Sequence, residues 1–234
     1  MTYYHLIAYD EVGSTLDVAH ELAAKGAEAG TIVVANAQTA GRGRMGRSWR
    51  SESGAGVWLT LIERPTDPGA LDVLSLRIGL ALAPALEIFA DSPVQLKWPN
   101  DLYLRGRKLG GILIEVRWRE GHPEWAAIGV GINLRPPESE PLAIGLRGGV
   151  TRDDVLPVVA PALRAAAAAR GRLTDAELDA FDARDFAVGR RVLEPVAGIV
   201  RGIDSSGALL VGVGSESGAV TAVRAGSLVL EEAS

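Results

Sequence analysis

Cysteine is absent from the 234 residues, which excludes disulfides, thiolate metal sites and a cysteine nucleophile together. No uninterrupted apolar run approaches the roughly 20 residues that a membrane-spanning helix needs. The opening Met1-Thr2-Tyr3-Tyr4-His5 has neither a basic region nor an apolar core behind it, so no secretory signal is expected. A surplus of basic charge is missing too. With 24 Lys+Arg against 29 Asp+Glu, the net charge of −5 argues against general nucleic-acid binding while allowing a local basic patch. What is present is ordinary for a globular chain: 47% hydrophobic and 23% charged residues, enough to build a core. The expectation is a soluble cytoplasmic protein of one large domain with room for an appendage.

Along the chain, strands and helices alternate. Tyr3–Tyr9, Thr31–Ala35, Val57–Ile62, Val94–Trp98, Leu109–Trp118 and Trp125–Leu134 read as strands. Ser14 and Thr15 stand where a helix begins, before Leu16, Ala19, Leu22 and Ala23 at helical spacing, and Gly26 is a natural stop. Leu71–Ala90 is helical in pattern, with Pro84 expected to kink or break it. Asp153–Arg170 is a further helix, and Thr174 with Glu177 makes a capping box for another. After Asp185 the texture changes to short strands broken by glycines, with Asp204-Ser205-Ser206-Gly207 as a tight turn. These patterns predict an α+β domain around a central mixed sheet, followed by a small C-terminal β-barrel.

Residues 41–50, Gly-Arg-Gly-Arg-Met-Gly-Arg-Ser-Trp-Arg, carry the most information. Four arginines crowd together without one acid, and three glycines let the backbone turn sharply beside a ligand. Mutually repelling guanidiniums are best satisfied by an anion such as phosphate or carboxylate. A solvated surface loop is the plain alternative; Trp49, a stacking surface for a base, weighs against it. Two nucleotide fingerprints match superficially here: Gly41-x-Gly43-x-x-Gly46, and a near P-loop ending in Arg47-Ser48. Both mechanisms need a helix to open directly after the glycines, and Ser48–Gly56 is not a helix start. Gly129-x-Gly131 fails similarly, because Leu134 stands at the third glycine position.

Three further clusters bear chemistry. Lys97-Trp98-Pro99-Asn100-Asp101-Leu102 brings a cation, an amide and a carboxylate to one strand end. An amide can pair with an adenine edge, and a lone carboxylate can hold Mg²⁺ beside substrate phosphates. Lys108-Leu109-Gly110-Gly111-Ile112-Leu113-Ile114-Glu115 opens a strand on two glycines, which permits close approach of a ligand or a neighbouring backbone. Gly129-Val130-Gly131-Ile132-Asn133-Leu134 ends a strand on an asparagine that needs partners if buried. Structural turns remain the alternative for each cluster taken singly.

In this order, the Ser14-Thr15 helix start, the run Gln38–Trp49 and the three clusters resemble biotin–protein ligases, the biotin–[acetyl-CoA-carboxylase] ligases. Gly198–Asp204 and Gly207–Leu210 are similar to the family's SH3-like C-terminal domain. The resemblance implies a fold of the class II aminoacyl-tRNA synthetase/biotin ligase type, with a catalytic domain over 1–184 and an SH3-like domain over 185–234. It implies that biotin is activated by ATP to biotinyl-5′-AMP and passed to a lysine of the biotin carboxyl carrier protein of acetyl-CoA carboxylase, with Mg²⁺ assisting. Lys108, Arg42 and Asp101 would be catalytic, Asp101 also holding Mg²⁺. Ser14, Thr15, Leu16, Gln38, Gly41, Arg42, Gly43, Arg44, Lys108, Gly111 and Leu113 would bind biotin. Arg44, Trp49, Lys97, Asn100 and Asn133 would bind the nucleotide.

Two departures from the family pattern stand out. A first strand at Tyr3 leaves no room for the winged helix-turn-helix with which some members repress transcription, so a form without DNA binding or a repressor role is expected. The tail Leu230–Ser234 is acidic where some members carry a basic residue reaching toward ATP. A homodimer stays open, and no membrane partner is expected. Lipoate–protein ligase is the nearest rival, although its loop lacks the Gly-Arg-Gly-Arg run. The octanoyl transferase reaction needs a cysteine that this chain does not have. A nucleic-acid module built on the arginine loop, or a ligand-binding protein without catalysis, are the readings from other classes.

Overall fold

The computed structural model describes residues 4–214 and 218–231. Most of the chain is organised by seven strands: β1 (His5–Val12), β2 (Thr31–Gln38), β3 (Gly56–Glu63), β4 (Gln95–Lys97), β5 (Asp101–Leu104), β6 (Arg107–Arg119) and β7 (His122–Asn133). They lie in the order β1-β2-β3-β7-β6-β5-β4. β1 and β2 run parallel and the other neighbours antiparallel, which makes the sheet mixed, as expected. Tyr3, expected in the first strand, lies outside the described residues.

Helices cover both faces. Helix α1 (Thr15–Ala24) starts where the Ser14 Oγ accepts the Leu16 N–H, and it ends before Gly26, whose φ of +94° suits glycine. Its buried Leu16, Ala19 and Ala23 meet Val33, Ile62 and Ala127 on one side of the sheet. On the other side lie α2 (Leu74–Glu87) and α3 (Arg152–Ala167), whose Ile78, Leu82, Leu86, Val155, Val159 and Leu163 join the main core.

The segment Pro68–Glu87 is long and apolar enough to cross a membrane by length and composition, yet 56% of its apolar window is buried inside the fold. Pro84 does not end α2, which runs on to Glu87. Pro84 is exposed while Leu82, Ala83 and Leu86 are buried, so core contacts hold the helix across the missing N–H. Thr151 and Thr174 cap α3 and α4 (Asp175–Asp182) with full capping boxes, the second as predicted.

Strand β5 was not legible as a strand. The chain reverses over Trp98–Asn100, and pairing resumes at once, Leu96 opposite Leu102 and Lys97 opposite Asp101. Four residues are too few to display an alternation.

The C-terminal part folds into a second antiparallel sheet of β8 (Arg191–Glu194), β9 (Gly198–Ile203), β10 (Leu209–Gly212), β11 (Val220–Val223) and β12 (Val229–Leu230). Its order is β11-β10-β9-β8-β12, so among the described residues it is an open sheet and not a closed barrel. The turn at 204–207 forms as predicted, with Asp204 Oδ1 accepting from the Ser206 and Ala208 backbone N–H groups. Contacts from the C-terminal part seat this sheet on the first domain. The Trp98 indole N–H donates to the Gly207 carbonyl, Leu96 exchanges backbone bonds with Arg184 and Phe186, and the 41–50 loop touches Gly226 and Ser227.

Candidate active site

A cavity of about 420 Å³ opens where β6 and β7 pass under the 41–50 loop. That volume suits a small ligand or cofactor. Every site residue expected from the sequence lines it except Gly41.

Gly41 stands apart from the cavity lining. It is buried beneath the loop, and a Cβ there would sit 2.5 Å from the Trp49 carbonyl oxygen and 2.8 Å from Ser51 Oγ. Its own carbonyl accepts the Trp49 N–H at 2.8 Å. Gly41 therefore lets the two ends of the loop close on each other; it does not face the cavity.

One end of the cavity is polar and uncharged. The Thr15 N–H and hydroxyl both donate to Gln38 Oε1, at 2.8 and 3.1 Å. Thr60 donates to the Thr15 hydroxyl, and the Gln38 amide donates to Ser51. These bonds fix the rotamers of Thr15 and Gln38 before any ligand arrives.

The floor is made by glycines in paired strands. Gly111 faces Gly131 across β6 and β7. A Cβ on Gly131 would come within 2.6 Å of Trp49 Nε1, and one on Gly111 within 3.3 Å of the same ring. The Trp49 indole thus lies directly on the sheet, edge-on to Trp58 at 6.4 Å, and its Nε1 has no hydrogen-bond partner. Gly129 makes the same allowance for Leu16.

Cations ring the other end. Lys108 Nζ is 2.7 Å from Asp101 Oδ1 and 5.2 Å from the Trp49 ring centre. Arg44 donates to Asn100 Oδ1 and to the Gly226 carbonyl, both at 3.3 Å. Burial holds the Arg44 guanidinium below the usual arginine range, against the opposing pull of Asp101. Lys97 is lowered for the same first reason, again opposed by Asp101. Tyr103, beside Lys97, is pushed up to about 12 by burial and by Asp101. An anion entering here would relieve the crowding of these cations.

Asn100 donates to the Ile112 carbonyl at 2.7 Å while accepting from Arg44, so its amide is oriented from both ends. Asn133 is buried and donates to the Lys108 carbonyl at 3.4 Å.

Arg42 differs from its neighbours. Its Nε and Nη2 donate to the two Glu115 oxygens at 3.3 and 3.1 Å, and its Nη1 donates to Asp17 at 2.6 Å. Burial opposes its charge, but the hydrogen bonds to Asp17 and Glu115 outweigh burial and raise its pKa. Glu115 appears in the sequence as the end of a strand motif with no role, and Asp17 not at all. Their separation from Arg42 along the chain hides the contact. Tyr103 lies on β5, whose four residues carry no pattern in the sequence.

Residues 11–133 match the model of the biotin/lipoate A/B protein ligase family. The bifunctional ligase/repressor BirA of Bacillus subtilis is 45% identical over 131 residues, which is 56% of this chain and 40% of that protein, so the chain spans well under two thirds of that relative. The biotin–[acetyl-CoA-carboxylase] ligase of Mycobacterium tuberculosis is 36% identical over 230 residues, covering 91% of this chain and 85% of the relative. The solved biotin protein ligase from Aquifex aeolicus in complex with biotin and ATP superposes with a TM-score of 0.79 at 26% identity, over 99% of this chain and all of that one. On the match across residues 11–133 and the relative spanning 91% of its length, the chain belongs to the biotin/lipoate A/B protein ligase family.

Proposed function

We propose that this protein is a biotin–protein ligase: it joins biotin to ATP as biotinyl-5′-AMP, then passes the biotinyl group to a lysine of the carrier protein of acetyl-CoA carboxylase. The observation that carries this reading is the polarity of one cavity. Thr15 and Gln38 form a neutral hydrogen-bonding end, and Lys108, Arg44 and Lys97 form a cationic end.

In the first step a carboxylate oxygen of biotin bonds to the α-phosphorus of ATP, and the bond to the bridging oxygen breaks to release pyrophosphate. Both reactants are anionic. At ~4 Å and an effective dielectric of about 20 they repel by roughly 4 kcal/mol per unit-charge pair. Lys108 is the cation we assign to that junction, where charge concentrates as the new bond forms. Asp101 holds the ammonium in place until the anions arrive. Arg44 is assigned to the phosphates, and Asn100, Asn133 and Trp49 to the adenine.

In the second step the uncharged carrier amine attacks the mixed anhydride and AMP leaves, its proton passing to solvent or to Asp101. The 41–50 loop covers the anhydride from water in the interval. Ser14, Leu16, Gly43, Gly111 and Leu113 would line the biotin slot. In this reading residues 1–184 are the catalytic unit and 185–234 an SH3-like module whose Gly226 helps to seat Arg44.

Among the described residues no three His, Asp or Glu side chains gather to hold a metal ion. Asp101, moreover, is committed to Lys108. This donor set does not fit a metal cage of the protein's own, and magnesium is assigned to the ATP substrate.

The test is incubation with biotin, ATP and a biotin carboxyl carrier domain, with lipoate in parallel, followed by mass measurement of the acceptor. Addition of one biotinyl group, with AMP and pyrophosphate released, is the expected result. Transfer of lipoate in preference to biotin, or no nucleotide consumption with either acid, would overturn the reading.

A further inference from the structure

A chain of hydrogen bonds leads away from the cavity between α1 and the sheet. The Trp125 indole N–H donates to His20 Nδ1 at 2.9 Å. An indole nitrogen can only donate, so Nδ1 is the accepting nitrogen and the ring proton sits on Nε2. His20 Nε2 lies 2.9 Å from Glu115 Oε2, which makes the imidazole a donor to that carboxylate. Glu115 in turn accepts both Nε and Nη2 of Arg42, while Asp17 takes Nη1. The guanidinium is thus held along two edges by acids on two different elements. Asp17 and His20 are three residues apart on α1 and share a face; Glu115 is on β6 and Trp125 on β7.

We propose that Trp125, His20, Glu115 and Asp17 are positioning residues that fasten Arg42, and thereby hold the 41–50 loop shut over the cavity before any ligand binds. The charge balance supports this. Four arginines in ten residues would drive the loop away from the cationic end of the cavity, and the two acids neutralise Arg42, the one of the four that is ion-paired among the described residues. The indole and imidazole add direction: with His20 locked as a donor, Glu115 presents both oxygens to Arg42 in the side-on geometry that favours a paired contact. Such a chain stabilises one orientation more than any single exposed ion pair would. Arg42 then acts as a fastener and leaves Arg44 to face the nucleotide. The fastening needs no ligand. Only its consequence, retention of the adenylate, rests on the ligase reading.

Trypsin tests the fastening directly, because Arg42, Arg44, Arg47 and Arg50 are its own targets and cleavage follows the open population of the loop. The exposed turn Arg105–Arg107 serves as an internal reference. In the ligand-free protein, Glu115→Gln and His20→Ala should each raise cleavage within the loop about fivefold, and Trp125→Phe about twofold, with the reference turn unchanged. His20→Gln, whose amide can still donate to Glu115, should restore protection. In the loaded enzyme the same order should appear in the dissociation rate of biotinyl-AMP. Loop cleavage unchanged in Glu115→Gln and His20→Ala, or rising in step with the reference turn, would overturn the proposal. An enzyme that forms no biotinyl-AMP would instead sink the ligase reading and leave the trypsin comparison standing.

Discussion

Lys108 and Asp101, on neighbouring strands β6 and β5, face each other with 2.7 Å between ammonium and carboxylate oxygen. The pair lines the cavity, with the lysine side chain 32% exposed. In that setting the ion pair contributes little to folding and much to the position of one cation. Lys108→Ala should therefore lower the rate of biotinyl-AMP formation by about 10²–10³-fold while thermal stability barely moves. Pyrophosphate exchange measures the first and calorimetry the second. Near-normal exchange would mean that another group meets the developing charge.

Arg44 binds Asn100 and the Gly226 carbonyl, at the end of the cavity assigned to phosphates. Arg44→Gly should raise KM for ATP about tenfold and leave KM for biotin within about twofold. Equal increases for both substrates would show that the arginine orders the whole loop and not the nucleotide end alone.

Gly131 lies flat under the Trp49 indole. A methyl group added there would meet Trp49 Nε1 at 2.6 Å and Cε2 at 2.7 Å. Gly131→Ala should cost about 1–3 kcal/mol in stability or push the indole off the sheet, and ATP binding should weaken with either outcome. Thermal unfolding and nucleotide titration of the same variant decide; unchanged values in both would place the indole elsewhere in solution.

Asp185 is buried at the junction of the two sheets, with Oδ2 unpartnered, and its carboxyl is pushed up to about 6, chiefly by burial. Its folded-state pKa lies above the unfolded one, so the neutral form is favoured by folding. Stability is complete below pH ~4 and is lost as pH rises through about 6, by on the order of 3 kcal/mol at most. Asp185→Asn should therefore unfold at a higher temperature than the parent at pH 7.5, with the difference vanishing near pH 4. A constant difference across that range would assign the effect to side-chain fit. Glu87 and Glu177 act in the opposite sense. Arg184 and Arg77 hold their carboxyls below the usual range, so their contribution is present above the ordinary glutamate pKa and lost as pH falls.

Much of the site was legible because it is written in consecutive residues. The Ser14 cap, the Thr174–Glu177 box and the Lys97–Asp101 turn each depend on partners a few positions away. Backbone geometry at that range follows from residue type. The mixed sheet was legible for a similar reason, since its longer strands display their own apolar runs.

Other features had no local signature. Arg42 reads as one basic residue among four, and nothing nearby says that it alone is paired: Glu115 is 73 residues away. The donor to His20 is Trp125, 105 residues away. Gly41 looks like any other loop glycine until Trp49 and Ser51 close over it. Glycines at 129 and 131 imitate a nucleotide fingerprint, and only the register of β7 against β3 and β6 shows that they make room for Leu16 and Trp49. Residue chemistry and short-range spacing determined which groups this protein has available for an anionic ligand. Strand order and register decided which of them meet, because a hydrogen bond or an ion pair forms only between side chains that distant segments bring within a few ångströms.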